Sequence, residues 1–83
     1  MASVEFKAHA TKELDELDSD IAGRVVEKIY WLEKNFEILV PERLHYSLRD
    51  LYKLRVGDYR VVYSVAGDVI TVVKIRHRRD IYK

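Results

Sequence analysis

The chain has 83 residues, 48% of them hydrophobic and none of them cysteine, a length and composition suited to one small domain, residues 1–83, held together by packing. The missing cysteines exclude a disulfide framework, a thiol nucleophile and a thiolate metal site and fit a reducing, cytoplasmic setting. The mixed N-terminus and the lack of any apolar run near ~18 residues argue against a secretory signal or a membrane span. The net charge of +1 averages two unlike parts: residues 1–52 hold seven basic and eleven acidic residues, whereas residues 53–83 hold eight basic and three acidic ones, an asymmetry that points the second part toward a polyanion.

In chain order, Ser3-Val4-Glu5-Phe6-Lys7 alternates over a span too short for a helix and predicts a strand. Ala10, Leu14 and Leu17 recur at helical spacing and predict a first helix over Ala8–Leu17. The Asp18-Ser19-Asp20 cluster ends it and offers oxygen-bearing side chains as a cap for a second helix. That helix carries Ile21, Val25, Ile29, Leu32 and Phe36 in one apolar stripe and runs to about Asn35. Two helices so closely joined predict an antiparallel hairpin with an apolar face that needs a sheet to cover. Glu37–Leu48 contains the only proline, Pro41, and reads as a connecting segment.

Beyond Leu51 the pattern changes to β-branched and aromatic alternation in Tyr52–Val56, Tyr59–Val65 and Val69–Arg76. Gly57-Asp58 suits a two-residue hairpin loop, because glycine accepts the positive φ of its first position. The expected fold is therefore α+β, in the order β-α-α-β-β-β, an antiparallel sheet with the helical hairpin packed on one face.

A two-residue Gly57-Asp58 loop fixes the register of the first hairpin. Val56 then faces Tyr59, Arg55 faces Arg60, and Lys53 faces Val62, so Lys53, Arg55 and Arg60 share the face away from the helices. Two arginines directly opposite destabilise a sheet by a few tenths of a kcal/mol, up to ~1. An anion held between them would remove that repulsion, which makes this pair the most informative feature of the chain. For the last strand, a two-residue Gly67-Asp68 loop would place Lys74 under the helices at a cost of several kcal/mol. A three-residue Ala66-Gly67-Asp68 loop is therefore expected, with Arg60 opposite Lys74, Val62 opposite Val72, and Thr71, Val73 and Ile75 on the core face. Lys74, Arg76 and Arg78 then extend the basic surface.

The stretches Tyr52-Lys53-Leu54-Arg55-Val56-Gly57-Asp58-Tyr59-Arg60-Val61-Val62-Tyr63 and His77-Arg78-Arg79-Asp80-Ile81-Tyr82 resemble the RelE/ParE superfamily of type II toxin–antitoxin toxins, most closely its ribosome-dependent RelE branch. The resemblance implies the RelE-like microbial RNase fold and an mRNA endonuclease that acts in the ribosomal A site. It implies no metal, no cofactor and no small-molecule partner: the substrate's 2′-hydroxyl attacks the adjacent phosphate and leaves a 2′,3′-cyclic phosphate. The catalytic set implied by position is Lys53, Arg55, Arg60, Arg78 and Tyr82, with Arg55 standing where that branch has lysine. Lys74, Arg76, His77 and Arg79 are the implied contacts to mRNA and ribosomal RNA, and the implied protein partner is a cognate antitoxin.

The residue types suit that chemistry. Arg60 and Arg78 can bind the non-bridging oxygens bidentately while staying charged. Lys53 or Tyr82 is left to move the 2′-proton, and Tyr82 can alternatively stack on a base or be a plain terminal residue. His77 is either an acid acting near neutral pH or a packing residue, since its parity places it with Ile75. Two other readings stay open: a ParE-like toxin that poisons DNA gyrase without cutting RNA, and an inactive relative that only binds an antitoxin.

Overall fold

The computed structural model describes residues 2–36, 42–43 and 51–80. Strand β1 (Ser3–Phe6) leads into helix α1 (Ala8–Asp15) and helix α2 (Ser19–Asn35), followed by a short strand β2 (Glu42–Arg43), then β3 (Leu51–Val56), β4 (Tyr59–Ala66) and β5 (Val69–His77), and a 3-10 turn at Arg78–Asp80. The strands form one five-stranded sheet in the order β1-β5-β4-β3-β2. The expected helical hairpin and three-strand meander are present. The sheet is mixed, because β1 returns beside β5 in parallel register, Ser3 with Val69 through Phe6 with Val72. Most of the connecting segment, and with it Pro41 and Tyr82, lies outside the described residues.

Helix α2 buries the stripe its spacing predicts: Val25, Ile29 and Leu32 are at most 3% exposed. The stripe meets the sheet in two adjoining clusters. One joins Ala10, Val25 and Ile29 to Val61, Val72 and Ile75, and the other joins Leu32 to Tyr63 and Ile70. Asp18 occupies the N-cap position of α2, but its side chain makes no capping bond. The Asp18 carbonyl instead accepts from the Ala22 N–H at 2.8 Å, an ordinary first helical turn.

The β3–β4 hairpin has the expected register, Val56 with Tyr59, Arg55 with Arg60 and Lys53 with Val62. Gly57 and Gly67 both have φ of 59°, a region glycine enters without strain. The β4–β5 hairpin departs from expectation. Its turn is the two-residue Gly67-Asp68, with Ala66 facing Val69, and the register shifts by one residue further along, so that Tyr63 faces Val72 but Val62 faces Lys74. Val73 is the extra residue of this β-bulge. Lys74 thus escapes the core by a bulge rather than by a longer loop, since one inserted residue exchanges the two faces of everything after it. Two corrections follow: Arg60 faces Arg76, not Lys74, and Ile70 and Val72, not Thr71 and Val73, pack with Ile75 on the core face.

Candidate functional site

The bulge aligns basic residues in two rows across three strands. Arg55, Arg60 and Arg76 form one row, and Lys53, Val62 and Lys74 form the next. Side chains of cross-strand partners share a face, so the face turned away from the helices carries five cations in the space of two ladder rungs. Its centre is closed to solvent: Val62 is fully buried and Lys53 is 8% exposed. Burial of a lysine was not anticipated on a face read as a charged surface.

The outer arginines of the row turn toward the sheet margins. β1 ends opposite Val72, where the Lys7 N–H donates to the Val72 carbonyl at 3.0 Å, and beyond that point β5 has lost its neighbour. Glu13 of α1 replaces the strand. Its Oε1 accepts from the Ile75 N–H at 2.9 Å and its Oε2 from Arg76 Nε at 2.8 Å. A second guanidinium nitrogen of Arg76 lies 3.2 Å from His9 Nε2. Because a guanidinium only donates, that His9 nitrogen accepts. It then has no proton to offer Glu13 Oε2 at 3.5 Å, so the ion pair of Glu13 is with Arg76. On the other margin Arg55 borders a groove shared with Arg24, Lys28 and Trp31 of α2. Arg60 is left as the central arginine of the face.

Arg78 stands at the end of the same strand region. Its N–H donates to the Asp58 carbonyl at 2.8 Å, which extends the β4–β5 ladder by one bond and ties the Arg78 backbone to Asp58, itself the residue before Tyr59 and two before Arg60 in the chain. Arg79 is exposed on the 3-10 turn.

His77 does not join the basic face. It faces Tyr59 in the ladder, with the rings edge-on at 5.3 Å and 82°, on the side where the helices pack. Its Nδ1 accepts from the Arg79 N–H at 3.2 Å, so in the neutral ring the proton sits on Nε2. His77 thus packs on Tyr59, apart from the Arg60 row. Tyr82 lies outside the described residues.

One perturbed group lies on the core face. Burial, and secondarily the neighbouring Tyr52 phenol, raise the pKa of Tyr63 above the usual tyrosine value, with the two rings 5.6 Å apart and tilted by 32°. Among the described residues, no group of His, Asp or Glu is arranged as metal ligands would be, and no helix is long and apolar enough to cross a membrane.

Residues 4–82 match the family model described as ParE toxin of type II toxin-antitoxin system, parDE. The chain belongs to the RelE/ParE superfamily of type II toxins. The toxin is 31% identical over 83 residues to Toxin RelG of Mycobacterium tuberculosis, covering 98% of this chain and 95% of that one. Its fold is similar to the RelBE2 toxin-antitoxin complex of M. tuberculosis, with a TM-score of 0.79 at 25% identity over 93% of this chain and 98% of the other. It is also similar to the intact E. coli RelBE toxin-antitoxin complex, with a TM-score of 0.75 at 26% identity over 93% and 96%. The site residue of this toxin that sequence reasoning missed is Glu13. It lies 62 residues from Ile75 and sits on α1 with no pattern that distinguishes it from Glu16.

Proposed function

We propose that this toxin is an endoribonuclease that cuts mRNA in the ribosomal A site in the cytoplasm and is neutralised by a cognate antitoxin. The observation that carries the reading is the row Arg55–Arg60–Arg76 beside Lys53 and Lys74. Like charges set directly opposite cost stability, and a phosphodiester lying across the row would turn that cost into binding.

In the proposed reaction the 2′-oxygen attacks the adjacent phosphorus in line, the O2′–P bond forms, the P–O5′ bond breaks, and a 2′,3′-cyclic phosphate and a free 5′-hydroxyl result. The 2′-proton passes to a base and a proton is returned to O5′. Arg60 meets the charge that builds on the non-bridging oxygens because it is central and cannot lose its own proton, and Arg78 assists from the neighbouring turn. Lys53, held on the row next to Arg60, or Tyr82 moves the proton. Arg55 binds the flanking phosphate. Arg76 serves the face indirectly through its clasp with Glu13, and Lys74 and Arg79 contribute positive potential. The antitoxin assignment draws on the RelBE relatives, whose structures are toxin-antitoxin complexes.

The ParE name of the matching family model favours a second reading, a toxin that disables DNA gyrase without cutting RNA. Primer extension on mRNA in programmed ribosomes separates the two. Cleavage within the A-site codon by the wild type, lost in Arg78→Ala, supports the nuclease, and Tyr82→Phe tests whether Tyr82 is needed. Intact mRNA together with inhibited gyrase supports the second reading and refutes the first.

A further inference from the structure

Arg24, Lys28 and Trp31 follow one another at spacings of four and three along α2, a stripe one residue behind the buried Val25, Ile29 and Leu32. This stripe is rotated to the margin of the core and faces the end of β3. With Arg55 and Gly57 it lines an open groove of about 430 Å³ in which, among the described residues, Glu27 is the sole acid. Lys28 Nζ lies 3.9 Å from the centre of the Trp31 ring, a cation–π contact, while Trp31 remains 40% exposed. Three cations beside a half-exposed indole combine charge for a phosphate backbone with a flat surface for a base, the pairing used by single-strand binders.

Arg55 connects this groove to the proposed site. It is the cross-strand partner of Arg60 and also borders the groove, so a chain lying over Arg60 passes Arg55 on leaving the sheet. We infer that the groove between α2 and the β3–β4 turn is a second subsite for single-stranded RNA, taking phosphates on Arg24, Lys28 and Arg55 and a base on Trp31. This rests on the nuclease reading for the direction of the strand. RNA is favoured over an acidic protein segment because the groove is continuous with the row that the proposed substrate crosses.

Trp31 is the only tryptophan, so its emission reports this groove alone. The probe is a single-stranded 2′-O-methyl RNA of about twelve nucleotides, which lacks the attacking hydroxyl and cannot be cut. It should quench Trp31. Arg24→Gln combined with Lys28→Gln should weaken its binding about tenfold and reduce the steepness of log K against log salt by about 1.4, ~0.7 for each phosphate contact removed from a single strand.

RNA that binds, by anisotropy of a labelled strand, without changing Trp31 emission and with the same salt slope in the double variant overturns the subsite and leaves the nuclease reading standing. Quenching with the predicted slope change but no mRNA cleavage upholds the subsite while the nuclease reading falls. Quenching by poly-glutamate and not by RNA overturns it in favour of a protein interface, and no RNA binding at all also overturns it.

Discussion

Replacing Glu13 with glutamine tests the clasp at the open edge of β5. The carboxylate makes two bonds, to the Ile75 N–H at 2.9 Å and to Arg76 Nε at 2.8 Å, from a side chain only 16% exposed. Glutamine has one oxygen and an NH₂ group, so it can keep one of the two bonds and must present a donor to the other donor. The charge-assisted bond to Arg76 is worth ~1.5–3 kcal/mol when well shielded, and a partly buried donor left without an acceptor costs ~1–3 kcal/mol. Arg76 is 29% exposed, so water recovers part of both. We expect a net loss of about 2 kcal/mol, which for a domain of this length lowers Tm by roughly 10 °C. Urea unfolding followed by circular dichroism measures it, and Arg76→Met with the Glu13→Gln/Arg76→Met double variant completes the cycle with a coupling of about 1 kcal/mol. A Glu13→Gln protein within ~0.5 kcal/mol of wild type, the scatter of an ordinary surface substitution, would refute the clasp.

Three further outcomes follow from the fold. Deleting Val73 removes the bulge residue and leaves a regular ladder in which Lys74 still faces Val62 and Arg76 still faces Arg60, away from the helices. The deletion should therefore keep cooperative urea unfolding, and loss of cooperative unfolding would contradict the register. Gly57→Ala forces a side chain onto a backbone with φ of 59° and should cost about 1 kcal/mol in urea unfolding; no loss would place the turn in another conformation. The raised pKa of Tyr63 makes stability depend on pH at the alkaline end. The unfolded chain loses its phenolic proton first, so the stabilisation is complete below the ordinary tyrosine pKa of ~10 and declines above it by up to ~1.4 kcal/mol per pH unit. Tyr63→Phe should flatten that decline, and an unchanged slope between pH 9 and 11 would show that other groups cause it.

The legible parts of this molecule are those fixed by local chemistry. The Arg55–Arg60 pair follows from one two-residue turn, because glycine's backbone freedom at Gly57 sets the register of every residue counted back from it. The α2 stripe follows from spacing alone. The second hairpin failed for an instructive reason. Burying Lys74 carries the expected penalty, but two backbone devices avoid it, and nothing in Val72-Val73-Lys74 distinguishes a bulge from a longer loop. Glu13 was invisible because its partners are on β5, and their meeting depends on where β1 stops. The burial of Lys53 and the turn of Arg55 toward α2 likewise arise from tertiary placement, to which the alternation of a strand is blind.

If the arginine row costs the fold stability and serves an anion, stability and activity should separate at Arg60. Arg60→Gln removes the middle charge from the row. It should leave the urea midpoint equal to or above that of wild type, since like-charge pairs oppose the sheet. It should also slow mRNA cleavage in programmed ribosomes by about 10²–10³-fold, as loss of a transition-state donor does. A variant that cuts at the wild-type rate, or one that loses activity only because it has lost stability, would contradict the account.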